Sequence, residues 1–276
     1  MTNIGTTESH FASGIGPALR VEFQKARRSK TLWLTFFVML LLTLISGLFM
    51  FILKYPELAQ RFGLVGAKAQ LFGGTADWPS LFNLVLLMTT VGGLVIFGFI
   101  FVWVFGREFV DRTVYDMLAL PTSRVTIVMA KIITAACWSL ALILTVFVLV
   151  LGVGAVLQLP QWSMATATNG LERMLVSGVL TLLLCISFAL VASATRSYLP
   201  AVGCIFLVLM FGQVFNTLGY GQYFPWAIPA LYSGAASALS GQTEQPLGFI
   251  SYLLVVAVGI ISLVATGAWW RNADQT

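Results

Sequence analysis

Thr31 to Leu53 reads TLWLTFFVMLLLTLISGLFMFIL, without one charged residue. A helix needs about 20 mostly apolar residues to cross the hydrocarbon of a bilayer. Lipid offers no hydrogen bonds, so the backbone must satisfy its own, as a helix does. Five further stretches share the pattern, at about 82–105, 132–156, 174–195, 199–219 and 248–270. They predict an all-α integral membrane protein with six transmembrane helices. Composition agrees: 9% of residues are charged, against about 25% in a soluble domain, and the mean hydropathy is +0.93. So few charges cannot cover a water-facing surface, and lipid is the main solvent.

Working outward from this run, residues 1–14 are polar and rich in Gly, Ser and Thr, and are expected to be a disordered tail before one transmembrane domain, 15–276. No short apolar core with a cleavage site precedes the first span, which is expected to stay in the mature chain. Within 15–30, Leu19, Phe23 and Ala26 fall near one helical face while Arg20, Gln24, Lys25, Arg27 and Arg28 lie mostly elsewhere. That suits a short helix in the membrane interface, or simply a basic flank to the first span. Placing the N-terminus in the cytoplasm puts Arg20, Lys25, Arg27, Arg28, Lys30, Arg107, Arg112, Arg124, Lys131, Arg196 and Arg271 inside. Only Lys54, Arg61, Lys68 and Arg173 are then outside, so both termini are expected to be cytoplasmic. Thr195–Pro200 reads as a tight turn, with Pro200 at a helix start. The outer segment 220–247 carries Tyr220, Tyr223, Phe224, Pro225, Trp226, Pro229 and Tyr232, and reads either as a re-entrant element or as an aromatic belt.

What the spans lack narrows the function. No Asp or Glu falls near a predicted bilayer centre, and Lys131 and Arg173 sit at span edges where they can snorkel. Ion- and proton-coupled carriers usually need buried charges or unwound helices, so the driving energy is expected from elsewhere. His10 is the sole histidine and there is no HExxH, which argues against a zinc or Ser/His hydrolase. There is no GxxxxGK[ST], so the chain has no such cradle for nucleotide phosphates. Cys137, Cys185 and Cys204 lie in apolar runs and read as small core residues.

The charges gather in one inner loop, Gly106-Arg107-Glu108-Phe109-Val110-Asp111-Arg112-Thr113-Val114-Tyr115-Asp116-Met117-Leu118-Ala119-Leu120-Pro121-Thr122-Ser123-Arg124. Read as a helix, 109–120 aligns Val110, Val114, Met117 and Leu118, and Pro121 ends it. It either offers Tyr115 and its charges to a soluble partner or is an ordinary charged loop. Glu108 and Asp111 fall outside the hydrocarbon, so substituting either is expected to leave folding intact.

This loop resembles that of type-2 ABC exporter permeases: an acidic residue at the end of the second span, a basic-Thr step (Arg112-Thr113), an apolar run, P-x-S-R (Pro121, Ser123, Arg124), then Lys131. Glu22-Phe23-Gln24-Lys25-Ala26-Arg27-Arg28-Ser29-Lys30 resembles the E-x-x-K-x-R-R-S-K lead into the first span in the bacitracin- and lantibiotic-type branch. One departure is Arg112, where many members carry Gly. The resemblance implies a plasma-membrane subunit that pairs with a second copy or a similar permease and binds two copies of a separate ATPase. ATP and Mg then sit on the ATPase, and this chain binds no cofactor, metal or nucleic acid. Glu108, Asp111, Arg112, Thr113, Tyr115, Asp116, Pro121, Ser123 and Arg124 become the ATPase-coupling residues. The implied substrate path runs between permease copies along the second and fifth spans, with Asn83, Thr89, Thr90, Phe97, Gln213 and Asn216 as candidates. Each also reads as an interhelical packing residue. Their mild polarity suits an amphipathic or hydrophobic cargo, a peptide antibiotic or a lipid-like compound. A non-transporting scaffold and a secondary transporter are the alternatives.

Overall fold

The computed structural model describes residues 4–57, 75–113, 123–234 and 247–272. The described chain is helical, with no strand among these residues. It comprises α1 (Ile4–Arg28), α2 (Lys30–Lys54), α3 (Trp78–Val110), α4 (Arg124–Val156), α5 (Met164–Thr195), α6 (Tyr198–Thr217), α7 (Ile228–Tyr232) and α8 (Phe249–Asn272). All but α1 and α7 are long and apolar enough to cross a membrane, so the six expected spans are present.

Their lengths differ from the hydropathy reading. The helices α3, α4 and α5 have 33, 33 and 32 residues, which is roughly 50 Å each at 1.5 Å per residue. Hydrocarbon accounts for about 30 Å of that. Their excess turns are polar enough to escape an apolar window yet stay helical because local caps end them. Asp77 accepts from the Ser80 amide at 2.9 Å, Ser123 from Thr126 at 3.1 Å, and Ser163 from Thr166 at 3.0 Å. Each satisfies an amide that the first turn leaves orphaned. Ser29 does the same for Thr31 and Leu32, breaking α1 from α2.

The centre of the bundle is the pair α3 and α5, the two most enclosed spans, whereas α6 is mostly uncovered. Close approach depends on glycine. A Cβ on Gly170 would stand 2.6 Å from the Phe82 ring, and one on Gly106 2.8 Å from Tyr198. Small residues at such crossings let transmembrane helices pack by van der Waals contact. The basic residues from α1, the end of α3 and the start of α4 share one end of the bundle, called here the basic end.

At the opposite end, Lys54 donates to the carbonyls of Leu157 and Gln158 just past α4. The described part of the aromatic segment, up to Gly234, folds back onto the spans. Two short 3-10 turns lead into α7, Ile228 is fully buried, and Phe224 stacks on Phe215 at 4.9 Å. Tyr220 and Tyr223 stay exposed, so the segment combines an inward-packed element with an aromatic rim. The helix α1 starts at Ile4 and passes through Pro17. From residue 14 onward its buried positions are Glu22 and Ala26, and Phe23 is exposed. The face turned to the protein therefore carries a carboxylate and is not the apolar stripe through Phe23.

Candidate functional site

Four ionisable side chains from three helices meet at the basic end. Lys131, in the third turn of α4, has no exposed surface. Its ammonium donates to Glu108 Oε1 at 3.0 Å, Glu22 Oε1 at 3.2 Å and the Val104 carbonyl at 3.3 Å. Three acceptors match the three donors of an ammonium. Lys25, one turn along α1 from Glu22, donates to Glu108 Oε1 at 3.0 Å and to Glu22 Oε1 at 3.4 Å. The Thr113 hydroxyl donates to the other Glu108 oxygen. Arg107 flanks the group, its guanidinium 3.6 Å from Glu108 and 4.7 Å over the Trp103 ring.

The physics of this group is pairing under burial. An isolated ion in such a place costs several kcal/mol in lost hydration, which only good geometry and full hydrogen bonding offset. Here two carboxylates face two ammonium groups, and neither glutamate exceeds 7% exposure. The result clamps α1 to α3 and α4 just where the inner loop begins.

Two expectations need correction. Glu108 is not an exposed loop charge: α3 continues to Val110 and holds it in the last turn, 1% exposed. Nor does Lys131 snorkel, because it points into the protein and not along a lipid surface. The sequence held a signal for both. An ionisable residue within an apolar helix calls for a named partner, and Glu22 and Glu108 were among the few carboxylates on the same predicted side.

The remaining loop candidates divide. Asp111 is the C-cap of α3, exposed, its amide donating to the Arg107 carbonyl at 2.8 Å. Arg112 follows with φ of 56°, in the left-handed region, and the Thr113 amide returns to the Glu108 carbonyl at 3.0 Å. This helix ending favours glycine at the left-handed position, which gives a backbone reason for the Gly that Arg112 replaces. Ser123 caps α4. Arg124 donates to the carbonyls of Trp270 and Arg271 at the end of α8, where a cation complements the helix dipole. The same Trp270 donates its indole N–H to Ser193 at 3.0 Å. Tyr115, Asp116 and Pro121 lie outside the described residues, as does most of the expected helix 109–120.

The six path candidates are not gathered on one surface. Thr89, Thr90 and Phe97 line a cavity of about 10 Å³ inside the chain's own packing. Thr90 bonds the Leu86 carbonyl at 2.7 Å and the Ser177 hydroxyl at 3.2 Å. Asn216 is buried, Gln213 is exposed on α6, and Asn83 is exposed near the opposite end, accepting from Arg173 at 3.1 Å.

Residues 18–213 match the family described as ABC-2 family transporter protein. The chain is also 24% identical over 221 residues to the bacitracin transport permease protein BCRB of Bacillus licheniformis, covering 80% of this chain and 97% of that one.

Proposed function

Because the chain belongs to the ABC-2 family of transporter proteins, a multi-pass plasma-membrane permease, we propose that it is the membrane half of an exporter powered by a separate ATPase. Two ATPase copies bind ATP and Mg, and the permease pairs with a second copy of itself or a related chain. The basic end is cytoplasmic, as the Lys and Arg distribution favours. α1 lies along the cytoplasmic interface, with Arg20, Arg27 and Arg28 exposed toward lipid phosphates.

The observation that carries the mechanism is the clamp at the root of the inner loop. An ATPase closing on residues 111–123 pulls on the end of α3 and the start of α4. Glu108 and Lys131 are joined there, and Glu22 and Lys25 add α1 to the same unit. The three helices then respond as one block, which passes the stroke to the spans without loss in a soft hinge. Asp111, Arg112, Tyr115 and Asp116 meet the ATPase, while Thr113, Ser123 and Arg124 hold the loop's two ends.

The cargo is amphipathic or hydrophobic, a class that includes the peptide antibiotic named for the Bacillus relative. Energy from ATP also fits the placement of charge. Among the described residues every ion pair lies at the basic end, leaving no mid-membrane pair for ion coupling.

The test is co-expression with the neighbouring ATPase, purification through a tag on this chain, and vanadate-sensitive ATP hydrolysis in lipid. Co-purification with hydrolysis supports the reading. A well-folded chain that retains no ATPase overturns it in favour of a scaffold or a secondary transporter.

A further inference from the structure

At the end of the bundle opposite the clamp, α3 and α5 part around a cavity of about 230 Å³. Phe82 and Leu86 of α3 form its apolar wall, and Asn83, Thr166, Asn169 and Arg173 supply polar groups. Arg173 is the only cation in the lining. It is held in place: one guanidinium nitrogen donates to Asn83 Oδ1 at 3.1 Å and another to the Ser233 carbonyl at 2.9 Å. Both acceptors are neutral. Among the described residues no carboxylate is within ion-pair distance of Arg173, and neighbouring Glu172 is exposed.

The contrast with the basic end is the argument. There every buried charge is matched. Here a guanidinium is fixed at a membrane edge beside an apolar wall, with two of its five N–H donors engaged and no ion pair among the described residues. A planar cation with spare donors recognises carboxylate or phosphate. The exposed Asn169 amide and the Thr166 hydroxyl add donors on the same helix face, four and seven residues before Arg173.

We propose that this cavity seats an amphipathic anion, its phosphate or carboxylate on Arg173 and the first part of its hydrocarbon along Phe82 and Leu86. Its volume falls below the roughly 300–1,000 Å³ of pockets that enclose a drug-sized ligand. The site therefore takes a headgroup and leaves the rest of the chain in lipid. A membrane phospholipid and a soluble amphipathic anion share this chemistry.

The test uses the full chain. In nanodiscs of phosphatidylcholine and phosphatidylglycerol, native mass spectrometry counts retained lipid. In detergent, dodecyl phosphate and inorganic phosphate are titrated separately. The site predicts one retained phosphatidylglycerol, or saturable dodecyl phosphate binding, and no comparable binding of inorganic phosphate. Retention of the phospholipid identifies the lipid source, and binding of dodecyl phosphate alone identifies a soluble one. Arg173→Gln weakens binding roughly tenfold, the scale of one charge-assisted hydrogen bond. Asn169→Phe fills the cavity mouth while leaving both Arg173 hydrogen bonds in place, and it weakens binding as much. It decides the matter if Arg173→Gln fails to fold. Binding in Asn169→Phe equal to the unaltered chain, or no preference for an anionic amphiphile over phosphatidylcholine, overturns the site. The readout is binding alone, so it stands whether or not an ATPase co-purifies.

Discussion

Lys131 meets Glu108 at 3.0 Å across the α3–α4 interface, with the lysine side chain wholly buried and that of the glutamate 2% exposed. Removing one partner is more damaging than removing both. Lys131→Met leaves the two glutamates with Lys25 and the flanking Arg107, neither of them as deeply buried as Lys131, and a buried charge stripped of its partner costs about 3–5 kcal/mol. The expected outcome is a large fall in the thermal midpoint of the detergent-solubilised protein, or loss of the monodisperse peak. Lys131→Met combined with Glu108→Gln recovers much of the loss, because the remaining Glu22 and Lys25 still balance.

Asp111 separates assembly from folding. It caps α3 from an exposed position and takes no part in the clamp. Asp111→Arg is expected to leave the melting profile near that of the unaltered chain while lowering ATPase co-purification and hydrolysis. Full coupling in this variant removes Asp111 from the docking surface. Glu108→Ala, in contrast, lowers stability and coupling together.

Arg112 carries backbone strain at φ of 56°. A left-handed residue with a Cβ costs about 1–2 kcal/mol relative to the right-handed form, and glycine is free of this penalty. Arg112→Gly should raise the thermal midpoint slightly, while Arg112→Val lowers it, because a branched Cβ suits that region worst. A midpoint unchanged in both variants contradicts the strain argument.

Asp77 sets a pH dependence at the other end of α3. Burial pushes its carboxyl up, but hydrogen bonds from the Thr75 hydroxyl and the Ser80 amide outweigh it and hold the group below its ordinary value of 3.8. A depressed folded-state value means the contribution is complete above the unfolded-state value. It fades as pH falls through the folded one. Stability should thus drop below about pH 4, and Asp77→Asn, which keeps a capping oxygen, should flatten that drop. Asp77→Ala should cost about 1 kcal/mol at neutral pH, read as a lower thermal midpoint.

The six spans were legible because a long apolar run without charge has few other uses. Their ends were not. Residues 164–173 and 124–131 read as flanks, since caps at Ser163 and Ser123 and polar surface residues carry helix beyond the lipid. Loop membership misled in the same way for Glu108, which the last turn of α3 turns inward. The clamp joins residues 109 positions apart, Glu22 and Lys131, a pairing that no local pattern encodes. Thr90 and Phe97 enter as path candidates through the resemblance, which puts the path along the second and fifth spans. In the bundle the threonine bonds both its own helix and Ser177 of α5. At Arg112 the sequence shows only a departure from the resembled pattern, and the left-handed backbone behind it emerges from the structure.

The clamp has one more consequence. Glu22 and Glu108 against Lys25 and Lys131 sum to zero charge, and the flanking Arg107 at 3.6 Å from Glu108 leaves the cluster with one net positive charge. The membrane potential does work of about 2.3 kcal/mol per elementary charge per 100 mV on a group that crosses the whole field. The paired quartet is a set of opposed dipoles, so of the five charges in the cluster only one is left to feel the field. Pairing four of the five charges thus keeps the voltage dependence of any movement of this end of the bundle to that of a single charge at most.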